Sequence, residues 1–224
     1  KQLIDTFGRQ MDYLRLAVTD RCNLRCQYCM PANGIEIAPR SNLLSFKEMY
    51  RIIRVLTELG VKKVRLTGGE PFVRKDFIRF LEMLSFNDLL DEINITTNGA
   101  LIQQFIPVLE KMDKINHINL SIDSLQKDKF YQITRRDVFP SVYETFEALE
   151  KSTLKLKLNT VVQAGFNTDE IIDFVALTKD KNVVVRFIEE MPFNGKGQRD
   201  VQENWNYTRI LNLIKTQFIL TLKF

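Results

Sequence analysis

The 224-residue chain predicts an α/β fold in which parallel strands line a wide, incomplete barrel around a polar lumen. Two observations predict it. Short apolar segments alternate with amphipathic helical patterns, the arrangement of parallel βαβ units. Within those segments one side-chain parity is apolar, while the other is polar and mostly cationic.

The expected strands cover 13–18, 62–66, 92–96, 117–122, 154–161 and 183–188. The expected helices cover 45–59, 76–86, 102–112, 141–151 and 169–178. Ser45, with Glu48 three residues on, reads as a capping box, and Gly60 as the stop of that helix. Asn98-Gly99 and Ala164-Gly165 mark turns. The apolar parity includes Val64 and Leu66, Ile93 and Ile95, Ile118 and Leu120, and Leu156 and Leu158. The other parity carries Arg15, Lys63, Arg65, Asn94, Thr96, His117, Asn119, Lys155, Lys157 and Arg186. A doubly wound sheet is apolar on both faces, and a closed eight-stranded barrel is filled with Val, Ile and Leu. A wet, cationic second face fits a lumen that holds a large polar ligand. Its rival is a sheet with one face open to solvent. Segment 192–205 reads as a polar loop, 207–216 as a helix and 218–224 as a strand. His117, near the start of its strand, is expected to serve packing.

Hydrophobic residues make up 45% and charged residues 27%, the ordinary balance of a soluble globular protein. No apolar run reaches the roughly 18 residues of a membrane span, and residues 1–9 lack a signal-peptide core. A cytoplasmic location with no membrane partner is the expectation. The net charge of +4 is mild. It suits an anionic small molecule and argues against a nucleic-acid partner, which asks for a concentrated basic face. The three cysteines all lie between residues 22 and 29. An odd number in one short cluster is a poor disulfide framework and reads as a metal site in a reducing compartment.

That cluster is Cys22-Asn-Leu-Arg-Cys26-Gln-Tyr-Cys29, just after the first strand. Thiolates are the ligands of iron–sulfur clusters. Three on one loop can hold three irons of a cubane and leave the fourth open to a small-molecule chelator. Structural zinc wants a closed shell of four ligands, and His117 is too remote in sequence to be a convincing fourth. Thr67-Gly68-Gly69-Glu70-Pro71 follows the second strand; alone, such a turn is weak evidence.

The spacing Cys-x-x-x-Cys-x-x-Cys, with an aromatic before the last cysteine, resembles the signature of the radical S-adenosylmethionine (SAM) superfamily. The resemblance implies a [4Fe-4S] cluster on Cys22, Cys26 and Cys29, with S-adenosyl-L-methionine on the open iron. It implies release of a 5′-deoxyadenosyl radical and a partial (β/α)6, TIM-like barrel. Tyr28 matches the aromatic position. Gly68, Gly69 and Glu70 match the element whose backbone meets the methionyl amine, where a β-carbon would obstruct. Ser121 and Asp123 match ribose contacts, and Met191 a position near the adenine. The plain alternatives are turn formers and a gap-filling methionine.

The longer phrases are more specific. Leu14-Arg15-Leu-Ala-Val-Thr-Asp-Arg-Cys22, Ile95-Thr96-Thr-Asn-Gly99, Lys157-Leu-Asn159 and Val185-Arg186-Phe-Ile-Glu189 resemble the GTP 3′,8-cyclase family of molybdenum-cofactor biosynthesis. That resemblance assigns GTP contacts to Arg15, Lys63, Arg65, Thr96, Lys157 and Arg186. It implies abstraction of the ribose 3′-hydrogen and attack of the carbon radical on guanine C8. No side chain is given a catalytic role beyond the cluster and cosubstrate. A flavodoxin-like electron donor is implied and a homodimer allowed. The chain is expected to be one core domain over 1–224. Members of that family continue further at the C-terminus with a second cysteine trio, which three cysteines cannot also supply. A truncated piece or a naturally short relative, binding the cosubstrate at most, is therefore expected. The other readings are a radical enzyme acting on a peptide or another nucleotide, and a non-catalytic protein with a structural metal.

Overall fold

The computed structural model describes residues 2–191 and 205–221. Six parallel strands form one sheet: β1 (Tyr13–Ala17), β2 (Lys63–Thr67), β3 (Glu92–Thr97), β4 (Ile115–Ser121), β5 (Lys155–Val162) and β6 (Val183–Glu189). Their spatial order is their chain order. Every crossover therefore steps the same way, without the reversal of a doubly wound sheet, and the sheet curls into a barrel left open between β1 and β6.

The predicted parities hold. Val64, Leu66, Ile93, Ile95, Ile118, Leu120, Leu156 and Leu158 are each at most 2% exposed and form the core under the helices. Burying each such side chain is worth about 1.5–3 kcal/mol. Helix α1 (Phe46–Glu58) buries Met49 and Ile53, and α2 (Phe77–Ser85) buries Phe77, Phe80, Leu81 and Leu84. Phe46 stacks on Phe80 at 4.5 Å between centroids. The capping box at Ser45 forms as expected, and Gly60 leaves the helix at φ 103°.

Four expectations are corrected. The helix expected over 102–112 is a 3-10 turn (Gln103–Phe105) followed by a single turn, α3 (Ile106–Leu109). Pro107 starts a helix readily but has no N–H to continue one. A helix absent from the sequence reading, α4 (Lys127–Thr134), follows β4. Its apolar signal is only Phe130 and Ile133, too little for a periodicity argument. Strand β4 begins earlier than expected and carries an irregularity, since Ile93 pairs with Ile115 but Asn94 with His117. The extra residue lets Ile115 and Ile118, an odd number apart, both enter the core. Last, 218–221 form no strand; 222–224, and 192–204 of the expected loop, lie outside the described residues.

The remaining helices are α5 (Phe139–Glu150), α6 (Ile171–Asp180) and α7 (Tyr207–Lys215). Helix α7 buries Ile210 and Ile214 in a second small core with Val162 and Ile171, beside Trp205. Among the described residues no helix is long and apolar enough to cross a membrane.

Candidate cluster site and cationic lumen

The cysteine loop leaves β1 and runs against the loop leaving β2, backbone on backbone. Val18 donates its N–H to Thr67 O, Gly69 to Thr19 O and Glu70 to Arg21 O, each at 2.7 Å. A β-carbon on Gly69 would stand 2.1 Å from Arg21 O, and one on Gly68 2.3 Å from Thr19 O. The room these glycines leave is thus used first by the cysteine loop itself. Sequence reasoning had given that room to the cosubstrate alone.

Glu70 is fully buried, and its carboxylate is occupied. Oε1 accepts from Phe72 N at 3.1 Å and Thr97 Oγ1 at 2.8 Å, and Oε2 from Asn98 N at 2.7 Å. Burial pushes the carboxyl pKa up, and these three bonds oppose it. The side chain therefore braces the loops after β2 and β3. Asn98, read from sequence merely as half of a turn, is part of the site. Its Nδ2 donates to Asn23 Oδ1 at 2.7 Å and lies 3.8 Å from Cys22 Sγ.

Cys22 and Cys26 are half-buried and Cys29 is exposed. Burial raises the pKa of all three thiols; Cys26, the most enclosed, is also raised by the Asp123 carboxylate. Binding a metal as thiolates would release protons from these groups. Among the described residues no three His, Cys, Asp or Glu side chains gather as ligands of a single ion. A cubane fits this donor set better than zinc does, because each thiolate takes a different iron.

Tyr28 and Asp123 are tied to each other. The Tyr28 hydroxyl donates to Asp123 Oδ2 at 2.8 Å, and Val161 N to Oδ1 at 2.8 Å. Burial raises the Asp123 carboxyl to about 6 against the pull of these bonds. Asn167 Nδ2 donates to the carbonyls of Asp123 and Val161 at 2.7 and 2.8 Å, completing a brace between the ends of β4 and β5. Ser121 lies half-buried at the end of β4, opposite Asn159. Met191, 54% exposed, follows β6.

The lumen face carries the predicted cations. Arg65, Thr96, Lys157 and Arg186 are half-buried, and Arg15 and Lys63 exposed. The Lys157 pKa is lowered by burial, then by the charges of Arg186 and Arg65. Side chains of β2 and of the neighbouring strands β5 and β6 thus share one electrostatic environment on the lumen face. Arg186 Nη1 reaches Asn119 Oδ1 at 3.5 Å, and Arg65 lies over the Tyr13 ring at 5.5 Å. Glu92, which sequence reasoning did not single out, opposes this charge. It lies 3.2 Å from His117 Nδ1 and 3.9 Å from Lys63 Nζ, and accepts from Asn94 at 2.9 Å. His117 is therefore a lumen residue in a charge network, and the packing role expected for it is corrected. Burial and Lys157 lower the His117 pKa, outweighing the pull of Glu92.

An incomplete parallel barrel with three thiols at the carboxyl end of its first strand places a candidate metallocofactor site at the barrel mouth. The family model of the radical SAM superfamily matches residues 16–178, and the chain belongs to that superfamily. The cofactors of that superfamily are a [4Fe-4S] cluster and S-adenosyl-L-methionine.

The chain is 44% identical over 191 residues to the GTP 3′,8-cyclase of Desulforamulus reducens, covering 85% of this chain and 58% of that protein. It is 44% identical over 215 residues to molybdenum cofactor biosynthesis protein moc-5 of Caenorhabditis elegans, covering 96% of this chain and 35% of that protein. The chain thus spans about a third to three-fifths of the length of these curated relatives. Streptococcus suis SuiB bound to the precursor peptide SuiA shares the fold at a TM-score of 0.69 and 23% identity, covering 91% of this chain and 45% of that one. Native anSMEcpe with bound AdoMet does so at 0.70 and 16%, covering 91% and 59%.

Proposed function

We propose that this chain is the radical SAM core of a GTP 3′,8-cyclase, converting GTP to (8S)-3′,8-cyclo-7,8-dihydroguanosine 5′-triphosphate on the way to the molybdenum cofactor. The observation that carries the proposal is the placing of Arg15, Lys63, Arg65, Lys157 and Arg186 on the one polar face of the barrel strands, with Arg186 Nη1 reaching Asn119 Oδ1 on β4 at 3.5 Å. Cations held together against their own repulsion are the complement of a polyanion, and Arg suits phosphate oxygens through its planar fork. Relatives named GTP 3′,8-cyclase at 44–45% identity support the same substrate.

The cluster with its cosubstrate supplies the one-electron chemistry when bound. The chain's residues bind and orient. Arg15, Lys63, Arg65, Lys157 and Arg186 neutralise the phosphates, and Thr96 offers a hydroxyl on the same face. The backbone of Gly68 and Gly69, with Ser121 and Met191, lines the place of the cosubstrate. Residues 1–224 act as one core. A flavodoxin-like donor supplies the electron, the setting is the cytoplasm, and a homodimer is the assembly to look for by sedimentation.

The test is anaerobic reconstitution followed by iron and sulfide analysis, reductive release of 5′-deoxyadenosine, and equilibrium binding of GTP. Arg65→Ala should weaken GTP binding about 10- to 100-fold, the value of one charge-assisted contact. Unchanged GTP affinity in that variant, or GTP bound no better than a neutral peptide, would sink the substrate assignment.

A further inference from the structure

The cysteine loop is strapped to the end of α4, and one residue there adopts a conformation that its type disfavours. Arg135, which ends α4, has φ 56° and ψ 31°, the left-handed region. Gly or Asn settles there readily, whereas a residue with a long side chain is strained. Such strain persists where the surrounding structure has a use for it.

The use is visible in the hydrogen bonds. Arg135 Nη1 donates to Arg25 O and to Met30 O, each at 3.1 Å. Those two carbonyls bracket Cys26 and Cys29. In the other direction, Arg25 N donates to Thr134 O and Gln27 N to Ile133 O, each at 2.9 Å. These acceptors are the last carbonyls of α4, which a helix leaves without internal partners. Between the two carbonyls held by Arg135, Cys29 N and Met30 N both bond to Cys26 O, at 3.0 and 2.9 Å, closing a helical turn. The base of that turn is gripped by four bonds to one helix end, two of them from one guanidinium.

We infer that Arg135 is a positioning residue for the cluster: it holds the Cys26–Cys29 turn ready for iron before the metal arrives. The inference rests on the loop holding a cluster and not on the identity of the substrate. It also explains why an arginine occupies a position where asparagine would be less strained.

Two variants test it. Arg135→Asn keeps a residue at ease in the left-handed region and deletes the guanidinium. Arg135→Met keeps the stem and deletes the donors. The metal-free protein is read first, by the rate at which its cysteines react with Ellman's reagent. The reconstituted protein is then read by iron and sulfide retained after a chelator challenge. In the Asn variant the thiols should react about tenfold faster, the opening expected when a bond from a charged donor is removed. Iron retention should fall below that of the parent protein, with a melting temperature near the parental one. Parental thiol rates and parental iron retention in Arg135→Asn would overturn the inference. So would loss of iron in the Met variant alone, because that would assign the effect to backbone conformation. If Arg135→Met fails to fold, the Asn variant decides. Failure of the parent protein to take up iron would refute the cluster itself, while the thiol rates would still judge the strap.

Discussion

Gly69→Ala tests whether the two loops at the barrel mouth need bare backbone. Gly69 does not have a positive φ, so the substitution adds bulk without the strain that Gly68, at φ 140°, would add. The new β-carbon would lie 2.1 Å from Arg21 O and 2.4 Å from its carbonyl carbon, where real contacts essentially never fall below 3.0 Å. The loops must therefore part by roughly 0.9 Å, which takes the 2.7 Å bond from Glu70 N to Arg21 O to about 3.6 Å, no longer a hydrogen bond. The Gly69 N to Thr19 O bond at the same joint is strained with it. One backbone bond left unmade and a second weakened in a partly buried joint cost about 2–4 kcal/mol. For a chain of this size that is a fall in melting temperature of roughly 5–15 °C. Because the clash lies at the peptide joining Arg21 to Cys22, iron uptake should fall together with stability. The assay is thermal unfolding by circular dichroism alongside iron analysis of the reconstituted protein. An alanine variant that melts and loads iron like the parent would refute the claim that this close approach dictates glycine.

Other outcomes follow from the same geometry. Tyr28→Phe keeps the ring and removes the donor to a buried Asp123 oxygen, so urea unfolding should lose about 1–3 kcal/mol; an unchanged midpoint would contradict the brace. Ile95→Ala, in a central strand at 0% exposure, should cost about 2–5 kcal/mol in the same measurement. Two groups make acid destabilising, each in its own window, against the opposite contribution of Asp123, whose carboxyl, raised to about 6, favours the folded state as pH falls. The lowered His117 pKa means that the unfolded chain binds its proton more tightly, so stability falls as pH drops from the ordinary value of 6.5 toward the folded one. The lowered Glu92 pKa means that its contribution, present above the ordinary 4.5, disappears as pH falls through the folded value. His117→Gln should flatten the upper window and also narrow the lower one, because His117 is one of the groups that hold the Glu92 pKa down beside Asn94 and Lys63, read as melting temperature against pH.

The six strands and their two-faced character were legible in the sequence because alternation along a strand is a local property. Each residue's side follows from its own position, as the buried Val64 and Leu66 beside the lumen-facing Arg65 show. The cysteine trio and the capping box were legible for the same reason, being spacings along one stretch of chain. Helix α4 was not, since two apolar positions in eight residues leave no readable period and its stability comes from packing. Nor could the site's joinery be read. That Gly69 is bare to clear Arg21, that Glu70 and Asn98 brace loops from three strands, and that Glu92 pairs with His117 are facts about residues far apart in the chain. By itself the sequence determined an open α/β barrel with a cationic lumen and three thiols after its first strand. Only the tertiary structure decided which polar groups spend themselves holding that mouth together and which face the lumen. The physical reason is that hydrogen bonds and steric clashes depend on distances in space, which alternation and spacing do not contain.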